Sequence, residues 1–297
     1  MVFELIPPPS PLPRTLGLPY RGSKSRIAQW VIGHLPSAPM LVDVFAGGCA
    51  VSQAALLTGR WETVWANDIL DGPDFFRAVA LGDDDGIRVA SRDEFKQGDL
   101  LTRLIYSFNY NMKDYIFNQK NEERALAETR KIVAQPDIVA AYRRRQEEWK
   151  REFLATNETA DRSRYLCNVE SMMRIQKLRT MKPYMPRFIP SALDYRTLDI
   201  PEDAIAYADP PYWGTVQYGF KFESDLFWNW AREQKALTVV SEYAAPDDFV
   251  EVASIPMKSM AGKGGDTRDA VEKLFVHETR VDEWWMRIDD VWTPVVK

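Results

Sequence analysis

The sequence predicts an α/β fold interrupted by a helical insert. Near its start, a short apolar run, a glycine pair, a helix-forming segment and a second β-prone run follow one another: Met40–Phe45, Gly47-Gly48, Ala50–Leu57 and Thr63–Ala66. From about Leu101 to Ile189 the chain is rich in Arg, Glu, Ala, Leu and Lys, a helical texture. Strand texture resumes at Ala204–Ala208. Residues 14–100 and 190–297 are therefore expected to form one discontinuous α/β domain, with 101–189 as an inserted helical one.

The elements follow in order. Residues 1–13 carry prolines at positions 7, 8, 9, 11 and 13 and read as an extended leader without the apolar core of a signal peptide. Ser23–His34 reads as a helix that ends before Pro36. Met40–Phe45 is a strand leading into Gly47-Gly48, Ala50–Leu57 a helix, and Thr63–Ala66 a strand that ends at Asn67-Asp68. In the insert, Asn121–Val133, Asp137–Leu154 and Asn168–Met181 read as helices, with a polar break at Asn157–Asp161. Leu237–Val240 then precedes Ser241-Glu242-Tyr243, and Leu274–Val276 and Trp284–Ile288 read as the last strands, with Trp284, Trp285 and Trp292 in strand and edge packing.

Composition narrows the function classes. With 297 residues, 45% hydrophobic and 27% charged, the chain has a core and is neither disordered nor fibrous. No apolar run approaches the roughly 20 residues of a membrane span. Two cysteines, Cys49 and Cys167, make no disulfide framework and fit a reducing cytoplasm; His34 and His277 offer few soft ligands, so no metal is expected. The net charge of −5 is unevenly placed: residues 102–188 hold 18 Lys and Arg against 11 Asp and Glu, whereas the remainder holds 20 against 32. A basic middle in an acidic shell suits either a nucleic-acid face or a solvated helical surface.

Asp209-Pro210-Pro211-Tyr212 carries the most chemistry. The strand before it would deliver it to the carboxyl edge of a parallel sheet, where open α/β folds bind ligands. The prolines remove two N–H donors and leave carbonyls that can only accept. A carboxylate beside a free carbonyl is a paired acceptor for an NH₂ group, and the tyrosine offers a stacking wall, which suits an exocyclic amine on a planar base. The same tetrad also suits a plain turn with a capping Asp and a buried Tyr. Asp43–Val51 follows the first strand, and its glycines permit φ > 0 and a close backbone approach. The spacing is not G-x-G-x-x-G, so the dinucleotide fingerprint is unmet, and a dehydrogenase is disfavoured. Asp68, 21 residues after Gly47, stands where an acid can take ribose hydroxyls. Lys24, in Tyr20-Arg21-Gly22-Ser23-Lys24, can bind a carboxylate or a loop carbonyl, or simply face solvent before a helix.

Taken together, Tyr20–Lys24, Asp43–Val51, Asp68, Asp194-Tyr195, Asp209–Tyr212 and Ser241-Glu242-Tyr243 resemble the Dam-type (D12 class) adenine-N6 DNA methyltransferases, in the α-type motif order and closest to phage and prophage members. The resemblance implies a Rossmann-like seven-stranded sheet and an enzyme that moves a methyl group from S-adenosylmethionine, leaving S-adenosylhomocysteine, to adenine N6 in double-stranded DNA. It implies that Tyr20, Lys24, Phe45, Ala46, Gly47, Asp68 and Asp194 serve the cofactor, with Asp194 at its adenine end. Asp209 and the Pro210 carbonyl would accept the amine hydrogens, and Tyr212 would stack on a base flipped from the duplex. Gly22-Ser23 stands where the family usually has Gly-Gly. The implied setting is the cytoplasm of a bacterium, or of a host cell for a phage gene, in restriction-modification or anti-restriction, with a monomer acting on DNA. Cytosine-N4 transfer and a silent DNA-binding relative are the alternatives.

The insert would then recognise DNA. Arg143, Arg144, Arg174 and Lys177 are candidate phosphate contacts, although Glu147 and Glu148 could pair with the arginine run at helical spacing. Phe108, Asn109 and Tyr110 mix rings and amides as a base-holding loop would, or pack in a core.

Overall fold

Apolar runs of four to six residues, MLVD, IAYA and LTVVSE, make the centre of the sheet, where a parallel strand covered on both faces needs no polar alternation. The computed structural model describes residues 12–13, 15–19, 23–108, 112–156, 166–211, 222–259 and 268–289. Contacts divide it into two units, one of Lys24–Phe75 with the described residues 12–13 and 15–16 and those from Pro186 onward, the other of Phe76–Met185 with the described residues 17–19 and 23.

The first unit holds the sheet. Its strands are β1 (Met40–Asp43), β2 (Thr63–Asn67), β3 (Phe188–Ser191), β4 (Ile205–Ala208), β5 (Leu237–Glu242), β6 (Phe249–Ser259) and β7 (Arg268–His277). They are ordered β3-β2-β1-β4-β5-β7-β6. The first five are mutually parallel, and β7 runs antiparallel between β5 and β6. This is the Rossmann-like, seven-stranded α/β sheet that the resemblance implied. Helices α1 (Ala28–Gly33) and α2 (Ala50–Thr58) pack on each other, and α2 lies on β1 and β2. The fully buried Phe227 of α9 (Ser224–Glu233) joins Val42, Val44, Ala206 and Val240 in the core.

Two strands escape the sequence reading, β3 and β6. They are the two edges of the sheet, and they contain Pro190 and Pro256. Proline is tolerated at an edge because its missing N–H faces no partner. The strand expected over Trp284–Ile288 is instead the helix α10 (Val281–Asp289). Its buried residues Trp284 and Ile288 are four apart, and Glu283 pairs with both Arg280 and Arg287, so helical spacing overrides aromatic β-propensity. The Trp284 indole donates to His34 O at 3.1 Å. Ser23–His34 is also less continuous than expected, a 3₁₀ turn at Lys24–Arg26 followed by the short α1.

The second unit is helical. It contains α4 (Arg92–Gln97), α5 (Leu100–Tyr106), α6 (Glu122–Val133), α7 (Ile138–Thr156) and α8 (Cys167–Arg179), and its division from the first falls within α3 (Gly72–Leu81). The buried Asn168 of α8 donates to Thr129 of α6 at 2.9 Å. No helix of the described residues is long and apolar enough to cross a membrane.

Trp284→Ala should destabilise the protein by about 3–5 kcal/mol in urea unfolding, whereas Trp285→Ala, removing a ring that is 52% exposed, should cost less than about 1 kcal/mol. Equal losses would contradict the helical placement.

Candidate active site

Chain order around β1 and β4 decides where a ligand can enter. From β1 the chain proceeds to β2 on one side, and from β4 to β5 on the other, so the two adjacent strands form the switch point of the sheet. Their carboxyl ends deliver the glycine turn after Asp43 and the Asp209-Pro210-Pro211 segment after Ala208 to the same edge. Val44 N donates to Tyr207 O at 2.9 Å, joining the two exits.

The glycine turn is satisfied from within. Ala46 N donates to Asn67 O at 2.7 Å, Gly47 N to Asp68 Oδ2 at 2.9 Å and Cys49 N to Ala46 O at 2.7 Å. Gly47 (φ 48°) has the left-handed backbone that glycine adopts without strain, and Cys49 (φ 60°) adopts it too. A Cβ on Gly72 would collide with the Gly47 carbonyl, so Gly72 is the glycine this loop packing requires. Buried Asn67 ties the loops around it, donating to Val44 O at 3.2 Å and Leu193 O at 3.0 Å while its Oδ1 accepts from Ser191 Oγ and Leu193 N. A phosphate cradle would leave its N–H groups pointing at the ligand. Here three are already donated within the protein, and the side chains at hand are acidic, which suits a nucleoside without phosphate. Asp68 Oδ1 also accepts from Leu70 N at 2.9 Å, so both carboxylate oxygens are fixed and each keeps lone pairs for a diol.

On the other side of the switch point stands a buried ion network. Lys24 Nζ lies 3.0 Å from Asp209 Oδ1 and 2.8 Å from Glu272 Oε1, and Ser241 Oγ donates to the same Glu272 oxygen at 2.6 Å. Lys24 is 7% exposed, Glu272 0% and Asp209 16%. Burial alone would lower the lysine's pKa, but the two carboxylates outweigh it and hold it above the ordinary value. Around them, burial pushes Glu242 up to about 7, with Asp209 and Glu272 adding to the rise. Burial likewise pushes Asp43 up to about 7, against the opposing hydrogen bond from Ser52 Oγ at 2.5 Å. Glu272 and Glu242 are the polar residues the sequence reading left without a role. The signal for Glu272 was present: it shares the core-facing row of β7 with Leu274 and Val276, where a charge needs a partner.

Compared with known proteins, the chain matches the family model described as D12 class N6 adenine-specific DNA methyltransferase over residues 20–287. It belongs to that family. Methylation of adenine in DNA is the family's activity, and the methyltransferase here carries the sheet expected of it. Among solved structures it is similar to a Pyrococcus horikoshii protein provisionally assigned as an RNA methyltransferase, at 11% identity and a TM-score of 0.39, covering 87% of this chain and 86% of that one. No curated protein matches in sequence.

Other expected site residues of the methyltransferase fall as follows. Phe45, half-buried, packs its ring against Tyr195 at 5.2 Å between centroids, and Tyr195 in turn meets Trp230 at 5.3 Å. Asp194 caps the turn at Tyr195–Thr197 and forms a two-oxygen ion pair with Arg196. Tyr20, Asn109, Tyr110 and Tyr212 lie outside the described residues, as does Trp292, which was expected in packing. In the helical unit, Arg143, Arg144 and Lys177 are exposed, and Phe108 is 41% exposed. Arg174 donates to Gly17 O at 2.9 Å. Arg145 is held by Glu128, Glu148 and Glu152, so the arginine run is partly an internally paired face. Among the described residues no group of three or more His, Cys, Asp or Glu is arranged to hold a metal ion.

Because the Asp43 carboxyl titrates near 7 when folded against 3.8 as the free side chain, the unfolded state ionises first, and the folded state loses stability as pH rises from about 4 through 7. Asp43→Asn removes that loss. The melting temperature of the variant relative to wild type should therefore be higher at pH 8 than at pH 5, and an equal difference at both would contradict this assignment.

Proposed function

We propose that this methyltransferase moves a methyl group from S-adenosylmethionine to the N6 amino group of adenine in double-stranded DNA, by direct in-line transfer to a base turned out of the duplex. The observation that carries the reading is the Asp209 carboxylate, held at the switch point by Lys24 and next to a glycine turn three of whose amides are donated within the protein. S-adenosylmethionine, when bound, supplies its methyl on a positively charged sulfur and has no phosphate to anchor. Gly47 with Phe45 and Ala46, the lone pairs of Asp68, and Asp194 at the far end are the groups that would hold it. Lys24, turned toward the two carboxylates, acts on Asp209.

An adenine N6 lone pair is delocalised into the ring and is a poor nucleophile. Asp209 and the Pro210 carbonyl, accepting the two N6 hydrogens, would favour a pyramidal nitrogen whose lone pair points at the methyl group. The N–C bond would then form as the S–C bond breaks, the sulfur would become neutral, and the surplus N6 proton would pass along its hydrogen bond to Asp209 and on to water. Positioning supplies most of the gain. Tyr212 would stack on the base, whose extrusion costs a few kcal/mol. The helical unit is the DNA-recognition part in this reading, with Arg143, Arg144 and Lys177 facing phosphates and Phe108 and its neighbours near bases.

DNA from a methylase-free host expressing the protein should carry N6-methyladenine in one sequence context, and Asp209→Ala should abolish the mark while cofactor affinity stays within about threefold. N4-methylcytosine, or no mark from the wild type, would overturn the reading. Replacing both Arg143 and Arg144 with Gln should weaken DNA binding and reduce the slope of log K against log salt by about 2; an unchanged slope would return them to the solvated surface.

A further inference from the structure

The carboxylate that receives the amine is not held by its own loop alone. Asp209 Oδ1 is buried against Lys24 Nζ at 3.0 Å, and the lysine reaches it from the 3₁₀ turn at the start of the sheet unit. What fixes the lysine comes from a third place in the chain. Glu272, on β7 and fully buried, takes Lys24 Nζ at 2.8 Å and Ser241 Oγ at 2.6 Å on one oxygen. Ser241 belongs to β5, paired with Leu274 of β7, so the serine and the glutamate are locked by strand register. The lysine thus has its position set by two strands and passes it on to Asp209.

Charge makes this arrangement more than a clamp. With Glu272 ionised, one ammonium is shared between two carboxylates, and Asp209 receives only part of its field. Without the Glu272 charge, the whole of it falls on Asp209, whose electron density is drawn back and whose oxygens become weaker acceptors for an amine. Glu242 (9% exposed), Asp43 (1%) and the buried Tyr207 hydroxyl face the same region from β5, β1 and β4. Lys24 tempers the rise at Glu242, and burial together with neighbouring carboxylates raises Asp43 and Tyr207 as well.

We propose that Glu272 is a positioning residue for methyl transfer, which holds Lys24 away from full pairing with Asp209 and so keeps the Asp209 carboxylate a strong acceptor for the target amine. This rests on the function proposed above. The role falls to a residue that is fully buried.

Glu272→Gln tests it, since the amide keeps the shape and an acceptor oxygen but loses the charge. Single-turnover methyl transfer, measured with pre-bound S-adenosylmethionine and DNA carrying the sequence that the wild type marks, should fall about tenfold or more. Its acid limb should move to lower pH, because an undivided lysine field holds Asp209 ionised further down. Cofactor affinity and DNA affinity should both stay within about threefold. Glu272→Asp, which restores the charge on a shorter arm, should recover part of the rate and return the limb toward wild type. An unchanged rate and limb in the Gln variant would overturn the proposal, as would a loss that only follows weaker cofactor binding or the folded fraction. If the Gln variant does not fold, the Asp variant decides: a rate loss with the wild-type limb supports positioning, and the wild-type rate overturns it. Failure of the wild type to methylate adenine would instead remove the function on which the proposal stands.

Discussion

At the centre of the sheet unit one ammonium group, Lys24 Nζ, lies within 3.0 Å of two carboxylates from the strands that flank β5, Asp209 after β4 and Glu272 on β7. Removing three ions from water costs several kcal/mol each, and a unit pair at about 3 Å returns about 5 kcal/mol at an effective dielectric near 20. Two such pairs on one lysine bring the terms close to balance, and the hydrogen bond that Ser241 Oγ donates to Glu272 adds to them. The lysine stays charged for that reason. The consequence is geometric: the N-terminal turn, β5, β7 and the loop after β4 cannot shift independently, because each contributes to the same pair of contacts.

The opposite bank of the switch point is rigid for a different reason. There the fixed groups are neutral amides and carbonyls, and Asn67 and Asp68 absorb the donors of the glycine turn and of the chain after β3. A turn that donates three of its amides within its own protein has little to offer a phosphate, and the Asp68 carboxylate fixed beside it favours hydroxyls. The two banks therefore divide the work. In the proposed function one would receive an uncharged or cationic nucleoside, and the other would present a single carboxylate to an amine.

Much of this was legible in the residues. The Gly47 turn, Asp68 and the Asp209 segment each follow a short apolar or β-prone run, which anticipates that they meet at one edge of the sheet, and the central strands are apolar enough to be read directly. What was hidden was hidden for physical reasons. Strands β3 and β6 contain prolines that only an edge position excuses, and edge position is a property of the assembled sheet. The Trp284-Trp285 pair looks like strand because large rings favour strands, yet burial of Trp284 and Ile288 on one helical stripe decides the matter. Lys24 could be suspected of binding a carboxylate, but a partner 248 positions away in the chain, Glu272, is visible only once the sheet closes. Gly72, like Glu272, earns its place by what lies opposite it.

The claim on which the account turns is that the Lys24 charge compensates two buried carboxylates, and a denaturation cycle tests it directly. Urea unfolding at pH 7 of Lys24→Met, Glu272→Gln and the double variant compares each single loss with the combined one. The account predicts that Lys24→Met alone costs about 3–5 kcal/mol, since it strands a buried charge, and that adding Glu272→Gln restores a large part of it. Losses that simply add, or a Lys24→Met protein as stable as wild type, would contradict it.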